Sequence, residues 1–230
     1  MPRPPRRIKP GGYYHVLNRG NGRLRIFHKD ADYLAFCRIL AEGVGRYPVN
    51  LLAWCLMPNH WHLVLRPDKP EALARFMGWL GVTHVRRHHE HYHSRGKGHL
   101  YQGRFKSFPI QDDAHFRTVC RYVEANPKRA KMVRRAEQWP WSSLTTAPKD
   151  VATDEWPRPA KWPVSRPADW LEWVNEPLSN AEIAGLRTSV NRGRPFGDTD
   201  WVAKTAKQLN LGNTIRERGR PRKEPKIENG

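Results

Sequence analysis

His60-Trp61-His62 is the first place in the chain where residue types and spacing could do chemistry. In an extended strand, residues two apart face the same side, so the two imidazoles stand together while Trp61, Leu63 and Leu65 face the other way. Two imidazoles so placed form a metal-ligand pair, or equally a pair that a strand carries without metal. The apolar opposite face must be core, which leaves the histidines on the face open to helices or to a substrate. Farther along, Tyr122 and Asn126 are four residues apart and so stack on one side of a helix, with His115 two turns earlier on the same stripe. If that stripe faces the histidine pair, the Asn126 oxygen completes a His-His-Asn set with open positions. Such a set suits a hard ion, Mg²⁺ or Mn²⁺, that holds a phosphate, and Tyr122 would then lie beside that phosphate. The plainer alternative makes Tyr122 a core aromatic and Asn126 a helix C-cap before Pro127.

The elements that must position these groups can be read from periodicity. Tyr13 to Leu17 has the aromatic and β-branched content of a strand, and Asp30 caps a helix whose apolar stripe is Tyr33, Leu34, Phe36, Cys37, Leu40 and Val44. Asn50 to Met57 and His60 to Leu65 read as a hairpin joined at Pro58-Asn59. Pro70 and Glu71 open a second helix with Leu73, Phe76, Met77 and Leu80 inward. Phe105 to Ile110 returns as a strand, and Asp112-Asp113 starts a helix with Phe116, Val119, Cys120 and Val123 inward, ended by Pro127. The order β-α-β-β-α-β, then one more helix, predicts an α+β fold: a ferredoxin-like split βαβ antiparallel sheet with helices on one face. A mainly helical or irregular basic extension follows it.

Lys and Arg number 41 against 22 Asp and Glu, a formal charge of +19, which points to a polyanionic partner and first to nucleic acid. No run of about 18 apolar residues occurs and the N-terminus has no apolar signal core, so a soluble, cytoplasmic protein without a membrane partner is expected. Cys37, Cys55 and Cys120 are isolated and lack paired zinc spacing, as reduced core residues would. Residues 1–10 read as a basic arm kept extended by prolines, 11–135 as the catalytic domain, 136–180 as a Trp/Pro-rich linking segment, and 181–230 as a small helical DNA-binding extension with a basic tail. Within 136–180 packing is the expected role of the tryptophans, with base stacking the alternative. In the extension a helix is expected from Asp200 to Leu211, stopped by Gly212. Two Arg-Gly-Arg-Pro elements, at 192–195 and 218–221, look like minor-groove hooks.

From His84 to Lys106 the chain carries six Lys or Arg and six His, broken by Gly96, Gly98 and Gly103. The segment reads as a basic helix end and a loop, and the spacing of its histidines suits a solvated helix end better than a zinc site.

Four runs in order carry a resemblance: Met57-Pro58-Asn59-His60-Trp61-His62, Gln102-Gly103-Arg104-Phe105-Lys106, Arg121 to Pro127, and Trp139-Pro140-Trp141-Ser142-Ser143. Together with Gly12 to Val16 and Asn18-Arg19-Gly20, they resemble the REP-associated tyrosine transposases, within the wider HUH single-tyrosine transposases. The likeness covers roughly residues 10–145. It implies that His60 and His62 bind a divalent ion, that Asn126 supplies a third ligand where some relatives have Gln, and that Tyr122 attacks DNA. It also implies single-stranded or hairpin DNA as substrate, cut and rejoined through a 5′-phosphotyrosine link. Phosphate contacts are expected at Arg104, Lys106, Arg86, Arg87 and Arg19, and from the tail at Arg218 and Arg220. His115 is a candidate base. Assembly as a monomer or a homodimer is compatible with one tyrosine per chain. The rival readings are a non-cutting DNA-binding regulator on the same fold, a replication or mobilisation nickase, and a metal-dependent RNA nuclease.

Overall fold

The computed structural model describes residues 7–112 and 114–216. Four strands, β1 (Tyr13–Arg19), β2 (Val49–Met57), β3 (His60–Pro67) and β4 (Lys106–Ile110), form one antiparallel sheet in the order β2-β3-β1-β4. Two long helices, α1 (Asp30–Arg46) and α2 (Ala72–His91), complete the β-α-β-β-α-β order, so the split βαβ arrangement expected from periodicity is the one observed. Pro58-Asn59 makes the two-residue turn between β2 and β3, with Met57 opposite His60.

Alternation along the strands assigns each side chain to a face. Tyr14 and Val16 of β1 join Trp61, Leu63 and Leu65 of β3 and the inward stripes of α1 and α2 in one core. Gly43 lets these two helices approach closely, because a Cβ there would lie 2.7 Å from Trp79 and 2.8 Å from Phe76. The α1 start differs from expectation. Lys29 is the capping residue, and Asp32 turns its carboxylate back to accept from the backbone N–H of His28 and Lys29 at 2.7 and 3.1 Å.

The opposite face of the sheet is covered as well. Phe116, Val119, Cys120 and Val123 of α3 (Ala114–Glu124) pack with Cys55 and Met57 of β2, Val64 of β3 and Phe108 of β4. A bulge in β2 between Leu51 and Ala53 turns Leu52 and Ala53 both to this side while Leu51 and Trp54 stay on the other. α3 ends at Glu124, and a short helix α4 (Asn126–Arg129) resumes across Pro127. The proline is tolerated in a first turn, where its missing N–H has no helical partner anyway, so it does not end the helical path as expected.

The chain beyond Trp139 seals both edges of the sheet. Along β2, Leu56 N–H donates to the Trp141 carbonyl (2.9 Å), Ser143 N–H to that of Trp54 (2.9 Å), and the Trp139 and Trp162 indoles to those of Leu56 and Leu52 (2.8 Å each). Along β4, Phe196 N–H donates to Pro109 (2.9 Å) and Gln111 N–H to Phe196 (3.0 Å). Unpaired edge groups are thereby satisfied. The segment's tryptophans pack into the two cores, the expected role.

Short helices α5 (Trp170–Asn175) and α6 (Asn180–Arg192) lie against α3 and β4, followed by α7 (Thr199–Gln208) and α8 (Gly212–Ile215). The helix expected from Asp200 to Leu211 is α7. Asp198 caps it by accepting from Trp201 N–H (2.8 Å), and Gly212 begins the next helix instead of serving as a stop. The first Arg-Gly-Arg-Pro element is built into the fold: Arg192 ends α6, and Gly193 caps it at φ 71°. The second copy, with Arg218 and Arg220, lies outside the described residues. All three cysteines are buried and free. Among the described residues, no helix is long and apolar enough to cross a membrane.

Candidate active site

β1 and β3 run side by side with Leu17 opposite His62 and Arg19 opposite His60. His15, His60 and His62 therefore rise from one face of the sheet, where Tyr122 of α3 meets them. The Tyr122 ring centre lies 5.9 Å from that of His62 and 6.4 Å from that of His15, nearly perpendicular to both. The His60 and His62 rings are 4.9 Å apart. Tyr122, His62 and Asn126 are buried, and His60 is partly exposed. The stripe that carries Tyr122 does face the histidine pair, the condition left open by spacing alone.

Hydrogen bonds orient both imidazoles. Asn59 Nδ2 donates to the Arg23 carbonyl (3.1 Å), which identifies its other amide atom as the oxygen. That oxygen lies 2.6 Å from His60 Nδ1, so Nδ1 carries the proton and Nε2 keeps its lone pair. His62 Nδ1 lies 2.8 Å from His15 Nε2, and His62 Nε2 keeps a lone pair when Nδ1 is the donor of that pair. Burial, reinforced by the charges of Arg19 and Arg129, pulls His60 down to about 3. Burial also holds His62 well below its ordinary value, with His60, His15 and the two arginines adding to the effect. His15 falls to about 3 through burial and then the nearby His60. All three are neutral near pH 7, the form in which an imidazole ligates metal.

Arg129 of α4 was not anticipated. Its guanidinium carbon sits 4.0 Å from the Tyr122 ring centre, and its nitrogens lie 3.4 Å from the Tyr122 carbonyl and from Asn126 Oδ1. The spacing Tyr122, Asn126, Arg129 is helical and could have nominated it, had Pro127 not been read as the end of the helix. His15 was legible only as part of a motif, since strand pairing is what sets it against His62.

As for a metal, no group of three or more His, Cys, Asp and Glu among the described residues is placed to hold an ion by itself. The donors nominated are His60 Nε2, His62 Nε2 and Asn126 Oδ1; that oxygen accepts from Arg129 at 3.4 Å, and the amide nitrogen, a donor, is the unpartnered atom. Two neutral imidazoles and one carboxamide oxygen are by chemical type a set that fits a divalent ion.

The remaining nominated residues divide. Arg19 stands by His60, with its Nε buried and unpartnered. Lys106 is exposed at the start of β4 opposite Leu17. Arg86 and Arg104 line one groove beside α2, whereas Arg87 is drawn to Glu42 of α1 at 3.6 Å. His115 packs against Phe196 with ring centres 5.5 Å apart, two turns from Tyr122 at the extension end of α3.

Comparison with known proteins gives three findings. The REP-associated tyrosine transposase of Escherichia coli (strain K12) is 24% identical over 151 residues, covering 65% of this chain and 84% of that protein. A solved structure of a REP-associated tyrosine transposase bound to a REP hairpin superposes with a TM-score of 0.48 at 17% identity, covering 70% of this chain and 99% of the other. The family model described as Transposase IS200 like matches residues 9–126, the sheet, α1 to α3 and every side chain of the candidate site up to Asn126. More than half of the chain lies within that match, and the chain belongs to the IS200-like transposase family.

Proposed function

We propose that this chain is a divalent-metal-dependent enzyme that nicks and rejoins single-stranded DNA through a 5′-phosphotyrosine intermediate, on strands that form hairpins from repeated sequence. The observation that carries the reading is the convergence of Tyr122 with two neutral, hydrogen-bond-oriented imidazoles on one face of the sheet. Kinship with a REP-associated tyrosine transposase supports the substrate class. In this reading residues 11–135 are the catalytic domain, and the chain after 136 supports it and extends its DNA contact.

His60, His62 and Asn126 would hold the ion. When bound, the ion supplies Lewis-acid polarisation of a phosphoryl oxygen. Asn59 keeps His60 in the tautomer that offers Nε2, and His15 would do the same for His62 by accepting from its Nδ1–H. Arg19 and Arg129 flank the imidazoles and neutralise the scissile phosphate. Tyr122 Oη attacks phosphorus in line and loses its proton; the P–O3′ bond breaks and O3′ takes up a proton, leaving a free 3′-hydroxyl and a 5′-phosphotyrosine ester with no net change in protons. The phosphodiester bond energy is kept in that ester, so a new 3′-hydroxyl can reverse the step without ATP. Arg104, Lys106, Arg86 and, more weakly, Arg87 would track the backbone, with Arg218 and Arg220 adding contact from the tail.

The test is to incubate the protein with hairpin-bearing single-stranded DNA from beside its own gene, with Mg²⁺ or Mn²⁺, and look for an SDS-stable adduct. The adduct is expected with the native protein and absent in Tyr122→Phe and His60→Ala. Tight binding without an adduct on any strand or metal would favour the non-cutting DNA-binding regulator instead.

A further inference from the structure

A groove of about 890 Å³ runs between α2 and the loop of residues 98–105. Its walls are apolar, with Val85 and the aromatic Phe105 partly exposed on them, Trp61, Leu73 and Met77 nearly buried behind, and Val82 59% exposed at its side. Arg86, Arg104, His89 and His99 also line it, and no acidic residue does. Gly78 and Gly81, three apart on α2 and so on one side of it, form part of the wall. A Cβ at either would meet nothing within 4 Å. Glycine inside a helix is destabilising relative to alanine, and here, unlike at Gly43, packing offers no reason for it. Two bare positions keep the groove open.

The groove's place relative to the candidate site follows from strand register. Asn18 and Trp61, which line it, are paired one rung away from Arg19 and His60. Successive strand residues face opposite sides, so the groove lies at the same end of the sheet as His60 but on the other face. Between the two faces runs the 102–106 segment, held to β1 by Gln102 N–H donating to the Arg19 carbonyl (3.0 Å) and Asn18 Nδ2 donating to that of Gly103 (3.3 Å). A strand rounding this corner passes Arg104 on its way.

We propose that this groove is a nucleobase subsite: it takes one unstacked base from a nucleotide flanking the one cut at Tyr122, while Arg104 and Arg86 hold the adjoining phosphates. This rests on the nicking reading above. The chemistry matches single-stranded nucleic acid on both counts. Every base offers a flat apolar face that an aromatic-lined slot shields from water, and every backbone unit brings one negative charge to the rim. Gln102 in the same wall carries a carboxamide able to donate to and accept from a base edge. The acid-free lining suits a polyanion, and a groove for a peptide would have no need of so basic a border.

The experiment uses the same hairpin-bearing strand, with each nucleotide outside the stem replaced in turn by an abasic one, which removes the base and keeps the phosphate. Binding is read by fluorescence anisotropy for the native protein and for Gly81→Leu, which fills the groove from a position outside the candidate site. One abasic position is expected to weaken native binding about tenfold. Gly81→Leu should weaken the intact strand to a similar extent and be indifferent to that abasic position, while melting at a temperature no lower than the native protein. With 5-iodouracil at that position, irradiation should crosslink the strand to the groove wall, at Phe105 or Met77. If the native protein binds and forms the tyrosine adduct, yet Gly81→Leu binds as tightly and keeps the abasic response, the subsite is overturned and the nicking reading stands. If the native protein neither binds nor forms an adduct, the nicking reading falls and the subsite with it. If Gly81→Leu alters only the oligomeric state, the groove docks protein and the proposal is equally overturned.

Discussion

With its guanidinium carbon 4.0 Å from the Tyr122 ring centre and its nitrogens turned to Asn126 and the Tyr122 carbonyl, Arg129 ties the tyrosine to the amide one turn away. A planar cation there steadies the phenol's orientation and lowers the cost of negative charge beside it. Arg129→Ala is expected to slow adduct formation by about 100-fold, the scale of losing one preorganised donor, while DNA affinity changes by a few-fold. Arg129→Lys should recover only part, because an ammonium does not stack; equal rates in all three proteins would remove Arg129 from the mechanism. His15 belongs to the same scale. If it sets the His62 tautomer, His15→Ala weakens Mn²⁺ binding by about 10- to 100-fold, read by the paramagnetic signal of free Mn²⁺, with secondary structure intact by circular dichroism.

Among the elements, the α1–α2 contact is the tightest test of how the fold is held. Gly43→Ala would place a methyl 2.7 Å from Trp79 and 2.8 Å from Phe76, both rings of the neighbouring helix. Overpacking of this kind costs about 1 to 3 kcal/mol, more than the helix propensity alanine gains, so urea unfolding should show a lower midpoint. An unchanged or raised midpoint would mean that the helices separate at little cost. β2 explains why one element was easy to read and its surroundings were not. Its run of apolar residues announced one strand of a hairpin, but nothing local in Trp139-Pro140-Trp141-Ser142-Ser143 says that this segment supplies hydrogen bonds to β2. Such pairing is between residues some 85 apart in sequence, beyond the reach of periodicity.

Across the whole molecule, buried histidines and a buried carboxylate give opposite pH slopes. His84 is buried, bonded to the Tyr101 hydroxyl at 2.6 Å, and pulled to about 3 by burial, with His88 lowering it further and Asp32 opposing. The unfolded chain takes up a proton near 6.5 that the native state refuses. Its contribution is therefore full above pH 6.5 and lost as pH falls toward 3, at up to about 1.4 kcal/mol per pH unit. Glu124 is also buried, accepting from Ser143 Oγ (2.6 Å) and the Trp170 indole (2.7 Å), and burial raises its carboxyl above the usual value. The native state keeps that proton above 4.5, so stability falls as pH rises from 4.5 through the raised value. Urea unfolding of the native protein between pH 4.5 and 7.5 should show the histidine slope. Glu124→Gln should remove the opposing one while leaving stability below pH 4.5 little changed. With that opposing slope removed, a Glu124→Gln stability flat from pH 7 to 5 would contradict the burial argument for His84 and for His15, His60 and His62, which add to the same slope.

The order of elements and the residue pair His60 and His62 were determined by the sequence by itself, because strand and helix periods and a two-residue turn are local properties. So was the pairing of Tyr122 with Asn126 on one helical stripe. Which face that stripe meets was not, since nothing in α3 alone records that the sheet's histidine side is its partner. The tertiary structure decided it by closing α3 over β2 and β3. It also brought in His15 across a strand pair and Arg129 across a proline. The tryptophan-rich segment, which by composition read as a linker, and Phe196, just after the Arg-Gly-Arg-Pro element at 192–195, supply hydrogen bonds to the two sheet edges. The reason is physical: an exposed edge can be satisfied by any extended backbone or by an indole N–H, as at Trp139 and Trp162, so which segment covers it is decided by the fold's geometry and not by a local pattern.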